Sequence, residues 1–172
     1  QYGQTPIGID GFLEIETPEG DLKRINITRV HLEEDTGKSL HSDGLGYSVV
    51  DYNRSSVPLM EIVTAFPPDI ASGEEARQYA ENLRLVLLYL GVSDGKMEQG
   101  SLRAEPNPSI RKDGAEAYGT KTELKNLNSF RALHRALEFE IARQTRVLDG
   151  GGRVTIETRL WDEAGARTVG MR

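Results

Sequence analysis

The rhythm of apolar and polar residues changes several times along this chain, and each rhythm predicts an element. Residues 12–16 and 22–30 read as two strands around the turn Pro18-Glu19-Gly20-Asp21, a hairpin with Ile25 and Ile27 facing the core. The Gly/Ser/Asp-rich stretch 40–46 reads as a loop, and 47–52 and 58–64 as further strands. Phe66-Pro67-Pro68-Asp69 breaks that run, and the period then becomes helical. Ser72 is the predicted N-cap, with Glu75 at the capping-box spacing. Ala76, Tyr79, Ala80, Leu83, Val86, Leu87 and Leu90 form an apolar stripe that predicts core packing, and Gly91 is the expected stop.

Residues 102–111 alternate strictly: Leu102, Ala104, Pro106, Pro108 and Ile110 against Arg103, Glu105, Asn107, Ser109 and Arg111. That pattern predicts a half-buried edge strand, with its proline side turned outward because proline donates no ladder bond. Residues 121–125 predict a short strand running straight into a helix at 129–149, whose inner stripe is Phe130, Leu133, Leu137, Ile141 and Leu148. Gly150-Gly151-Gly152 ends it, and 154–160 with 167–171 read as a last hairpin, turning near Glu163-Ala164-Gly165. Strands often follow one another directly, and there is no internal repeat. The expected class is α+β: a largely antiparallel sheet with two long amphipathic helices.

Composition narrows the function. A chain of 172 residues with 37% hydrophobic and 28% charged content suits one globular domain or part of a larger one. The balance of 21 basic against 27 acidic residues gives −6, so any grip on nucleic acid is expected to be local, or to be supplied by a further part or a partner. Without cysteine there is no disulfide frame, thiolate zinc site or cysteine nucleophile. There is no apolar run long enough to span a membrane, and the cytoplasm is the expected location.

Two stretches carry candidate chemistry. In Lys121-Thr122-Glu123-Leu124-Lys125-Asn126-Leu127-Asn128-Ser129-Phe130, a strand would point Lys121, Glu123 and Lys125 the same way. Such a row, followed by Asn126, Asn128 and Ser129, can hold a metal ion or a phosphate. It also reads as a solvated strand face with an Asn/Ser helix cap, and spacing alone favours that reading. In His31-Leu32-Glu33-Glu34-Asp35-Thr36-Gly37-Lys38-Ser39, three consecutive acids favour a nearby cation or form an exposed acidic loop. Glu61 shares a strand face with Leu59 and Val63, which calls for a salt bridge or a metal. Gly37-Lys38-Ser39 lacks the upstream glycine of a phosphate-binding P-loop.

With Asp51-Tyr52-Asn53-Arg54, Pro58-Leu59-Met60-Glu61-Ile62-Val63, Tyr89-Leu90-Gly91-Val92-Ser93-Asp94, Met97-Glu98-Gln99-Gly100-Ser101-Leu102-Arg103 and Glu157-Thr158-Arg159-Leu160-Trp161-Asp162-Glu163, these stretches resemble one family. It is the GatB component of the GatCAB tRNA-dependent amidotransferase, and the resemblance runs from about Pro6 to Arg172. It implies a ligase that uses ATP and Mg²⁺ to phosphorylate the side-chain carboxylate of Glu-tRNA(Gln) or Asp-tRNA(Asn). Ammonia from the amidase component, GatA, then amidates it, with the small component GatC in the assembly. The resemblance further implies that 1–172 is one domain, the central part of the catalytic cradle. An upstream segment with a histidine motif and a tRNA-binding tail would lie outside it, and this stretch alone would not phosphorylate substrate.

The resemblance implies Glu34, Glu105 and Glu123 as metal ligands, with Glu34, Glu123, Lys125 and Arg103 in catalysis. It implies Asn126, Asn128, Ser129, Asn107 and Arg111 as nucleotide or tRNA contacts, and places His31 at the motif histidine. His41 and His134 read as surface residues. Glu105 stands where the family has Asp, one methylene longer, and Ala104 where it has Cys. Pro106 and Pro108, the Ala65-Phe66-Pro67-Pro68 run and Ala71 are further departures. Two other readings stay open: a non-catalytic relative that binds the tRNA acceptor end or a partner protein, and a generic metal-binding α+β domain.

Overall fold

The structure, a computed structural model, describes residues 5–17, 19–41 and 47–171, without the side chains of Leu40 and His41. Among the described residues ten elements follow in the order β1(Gly8–Glu16), β2(Leu22–Glu34), β3(Lys38–His41), β4(Ser48–Asp51), β5(Pro58–Thr64), α1(Gly73–Tyr89), β6(Glu123–Lys125), α2(Phe130–Asp149), β7(Thr158–Asp162) and β8(Arg167–Gly170). The class is α+β, as the alternation of periods predicts. The chain divides into two units: Gln1–Leu13 with Arg24–Asp69, and Glu14–Lys23 with Ile70–Arg172. Among the described residues no helix is long and apolar enough to cross a membrane.

The first unit is all β. Its sheet has the order β1-β2-β5, with β2 and β5 antiparallel and a register irregularity between Ile27 and Arg29. Ile25 is fully buried, whereas Ile27 is only half-buried. β3 and β4 form a separate antiparallel ribbon, with Lys38 opposite Asp51. This corrects the loop expected at 40–46: residues 40 and 41 belong to β3, while 42–46 lie outside the described residues. Pro18 of the expected hairpin turn also lies outside them.

The second unit holds the main apolar core, built from Ala76 and Ala80 of α1, Leu124 and Leu127 around β6, Ala132, Leu133, Ala136 and Leu137 of α2, and Trp161 of β7. The small residues let the helices approach closely. A Cβ on Gly73 would lie 2.7 Å from the His134 carbonyl oxygen, so only glycine fits there. Ser72 caps α1 by accepting from the Glu75 N–H at 3.2 Å, but the Glu75 carboxylate turns to the Ala71 N–H and Lys23 Nζ instead of closing the box. Gly91, at φ 67°, ends α1 as predicted, with the Val92 N–H reaching back to Leu87. The stripe of α1 is core only in part, since Val86 and Leu90 are exposed. Leu148, at the end of the α2 stripe, is exposed as well.

The second unit's sheet has the order β6-β7-β8. β7 and β8 are antiparallel, but β6 and β7 run parallel, with α2 as the crossover that parallel strands require. β6 starts later than expected, so Lys121 lies outside it, and residues 154–157 precede β7 rather than forming its first half. Residues 102–110 form no strand. Their burial alternates as predicted as far as Pro108, yet the proline side faces inward: Pro106 and Pro108 carbonyls accept from Leu124 and Thr122 N–H at 3.0 and 3.1 Å. In extended backbone a residue's N and O leave the same edge, so each proline accepts but cannot return the bond. The result is a one-way ladder.

Candidate functional site

Local sequence builds the site from the end of β6 outward. Leu124 is fully buried, so its neighbours Glu123 and Lys125 must project from the other face of the strand. Asn126 then adopts φ 65°, a left-handed conformation that Asn tolerates, and its Nδ2 donates to the Trp161 carbonyl at 3.0 Å. The chain turns there, and Ser129 caps α2 by accepting from the Ala132 N–H at 3.0 Å. On the opposite side runs the one-way segment, which brings Arg103 and Glu105 alongside.

These two stretches wall a cleft of about 350 Å³, lined among others by Glu98, Arg103, Glu105, Lys125, Asn126 and Asn128. Lys125 Nζ sits between two carboxylates, 3.5 Å from Glu123 and 3.8 Å from Glu105. The second oxygen of Glu123 accepts from the Thr158 hydroxyl at 2.8 Å. Asn128 Nδ2 lies 3.4 Å from Asn126 Oδ1, and Asn107 Nδ2 donates to the Glu105 carbonyl at 3.2 Å.

The other candidates are placed differently. Arg111 stacks on Tyr118 at 4.2 Å and donates to the Glu116 carbonyl, and it is not among the residues lining the cleft. The Ser129 hydroxyl is engaged as a cap. Glu34 belongs to the first unit, where it is exposed at the end of β2 opposite Pro58. Its neighbour Asp35 pairs with Arg54 at 3.1 Å. His31 faces Glu61 across the β2–β5 ladder. Glu61 is exposed, which corrects the expectation of a carboxylate on an apolar face that needs a partner. His134 is partly exposed and lies 3.5 Å from Glu74.

Among the described residues, no group of three or more His, Asp or Glu gathers to hold a metal ion. Glu105 and Glu123 suit a hard cation nonetheless. Mg²⁺ is commonly held by one or two carboxylates and completed by phosphate and water, and an ammonium already lies between this pair.

Three polar residues behind the site escaped the sequence reading. Thr122, Glu140 and Gln144 are all fully buried. The signal was present: 133, 137, 140 and 144 continue one helical stripe, so Glu140 and Gln144 stand at core positions. Burial pushes the Glu140 carboxyl up, but bonds from Arg143, Gln144, Thr122 and Thr168 outweigh it and leave its pKa below the ordinary value. Arg143 and Arg159 lie 2.7 and 3.5 Å from that carboxylate. Thr158 was also missed as the group that orients Glu123.

Known proteins resemble this chain along its whole length. A family model described as GatB/GatE catalytic domain matches residues 1–172. A protein of Carboxydothermus hydrogenoformans, named as the B subunit of an aspartyl/glutamyl-tRNA(Asn/Gln) amidotransferase, is 54% identical over 97% of this chain and 35% of its own length. Proteins of the same name from Brevibacillus brevis and Moorella thermoacetica are each 56% identical, over 100% and 97% of this chain and again 35% of their lengths. The chain thus spans about a third of these relatives. A match along its whole length, at such identity, makes this chain a member of the GatB/GatE catalytic domain family.

Proposed function

We propose that this chain contributes the nucleotide-binding and phosphoryl-transfer cleft of a tRNA-dependent amidotransferase. The observation that carries the reading is Lys125, which lines a cleft with Glu105, Arg103, Asn126 and Asn128 and has Glu123, just outside that lining, on its other side. In the proposed reaction a side-chain carboxylate oxygen of Glu-tRNA(Gln) or Asp-tRNA(Asn) attacks the γ-phosphorus of ATP, and ADP leaves. Ammonia, delivered by an amidase partner in a complex that also holds a small third protein, attacks the resulting acyl carbon. Inorganic phosphate departs and the amide loses a proton. A free carboxylate resists amines, and phosphorylation supplies the leaving group.

The protein's part is positioning and charge neutralisation. Glu105 and Glu123 would hold Mg²⁺, which screens the phosphate charge when bound. Lys125 and Arg103 would contact phosphate oxygens. Asn126 and Asn128 would accept and donate to the nucleotide or the terminal adenosine of the tRNA, next to the N-terminus of α2.

Calorimetric titration of Mg²⁺ with a non-hydrolysable ATP analogue tests this reading. The natural full polypeptide should bind, and Glu123→Gln should lose about tenfold or more in affinity. Glu34→Gln, titrated beside it, tests the ligand role implied for the first unit. Equal binding by wild type and Glu123→Gln would sink the proposal, and a module that binds only tRNA or a partner would replace it.

A further inference from the structure

The two walls of the cleft meet along a weak seam. Among the described residues, the backbone bonds joining them are donated from one side only, by Thr122 and Leu124 to Pro108 and Pro106. The prolines have no N–H to send back. Glu105 stands on one wall and Glu123 and Lys125 on the other, so the width of this seam sets the geometry of the site.

A buried polar cluster spans the seam from behind. Gln144 Nε2 lies 3.1 Å from the Pro108 carbonyl, on one wall, and 3.0 Å from Thr122 Oγ1, at the root of the other. Because the Pro108 oxygen can only accept, the amide nitrogen must face it. Thr122 Oγ1 donates to Glu140 at 2.9 Å, and Glu140 accepts from Thr168 of β8 at 3.0 Å. One α2 turn thereby ties together the Pro108 segment, the root of β6 and β8.

Stability alone does not call for this arrangement. Apolar side chains of like volume commonly serve a core as well as a buried ionic cluster does. Gln144 Oε1 is buried without a hydrogen-bond partner, an arrangement that costs the fold rather than helping it. Its nitrogen, by contrast, bridges the two walls that carry the chemistry.

We infer that Thr122 and Gln144, backed by Glu140, are positioning residues that fix the spacing between Glu105 and the Glu123–Lys125 pair. The inference rests on the nucleotide-and-metal reading of the cleft. Neither residue reaches substrate: both act through the seam.

The test uses Thr122→Val, which keeps the shape and removes the hydroxyl, and Thr122→Ser, which restores it, in the natural full polypeptide. Two quantities are read: calorimetric affinity for Mg²⁺ with a non-hydrolysable ATP analogue, and amide hydrogen exchange at Leu124. Thr122→Val should lose about tenfold in affinity and exchange faster at Leu124, while the amides of α1 and α2 keep wild-type protection. Thr122→Ser should recover both. Gln144→Met fills a similar slot and removes the unpartnered oxygen, and it should reproduce the loss even where the valine variant does not fold.

Wild-type affinity in either folded variant overturns the inference and leaves the proposed function standing. No binding by the wild type itself overturns both, and that outcome is recognised because it precedes any substitution.

Discussion

Glu123 shows at the scale of one residue how a candidate ligand is aimed. Its carboxylate has one oxygen on the Thr158 hydroxyl and the other beside Lys125. Thr158→Val keeps the β-branched shape and removes only the donor. It should weaken Mg²⁺-dependent nucleotide binding several-fold with little change in thermal midpoint, and unchanged affinity would deny Thr158 that role. Glu140 gives a prediction in pH. Its folded pKa is depressed below the ordinary 4.5, so the unfolded chain takes up the proton first as pH falls. The stability it contributes is full above the ordinary value and is lost as pH drops through the folded one. Thermal midpoints should therefore fall below pH 4.5, and Glu140→Gln should show a shallower acid limb. Parallel acid limbs would remove Glu140 from the account. The Lys125, Asn126 and Asn128 grouping was legible in the sequence because strand alternation and a helix cap are local properties. The bracing by Thr158 and Gln144 was not, since each reaches a partner 35 or 22 residues away.

Element by element, the helices were read most closely, because caps and glycine stops act within one turn. Ser72 and Ser129 cap as their spacing predicts. Ser72→Ala should cost about 1 kcal/mol, measured by denaturant unfolding. Gly73→Ala should cost more, roughly 1–3 kcal/mol, because its Cβ meets the backbone oxygen of His134 in the facing helix. If the alanine variant at 73 proved as stable as wild type, the close packing of α1 on α2 would be wrong. The strands were read less completely. Alternation at 102–108 gave the right faces, yet periodicity carries no information about which edge meets a neighbour. The parallel β6–β7 pair was likewise hidden, because the partners are separated by a whole helix. The exposed end of the α1 stripe, with Val86 at 39% and Leu90 at 69%, shows that helical spacing marks an apolar face without saying what covers it.

For the whole molecule, the charge of −6 limits how RNA can be held. The tRNA contact proposed for Asn126 and Asn128 has only two cations beside it in the cleft, Arg103 and Lys125, rather than a basic face. Binding of tRNA by this chain should therefore fall with salt along a shallow log–log slope, about −2 for two or three phosphates. A slope steeper than about −6 in a filter-binding series would require a far larger cationic surface. The division into two units has a consequence for anyone who would split the gene. The polypeptide passes between the units three times, at 13/14, 23/24 and 69/70. The excursion at 14–23 supplies Lys23 to Glu75 at the start of α1 and the Glu14 carbonyl to Asn82. No single codon boundary therefore yields two intact halves. A product that begins at residue 70 would leave Glu75 and Asn82 without these partners, and supplying 14–23 as a separate peptide is the natural complementation to attempt.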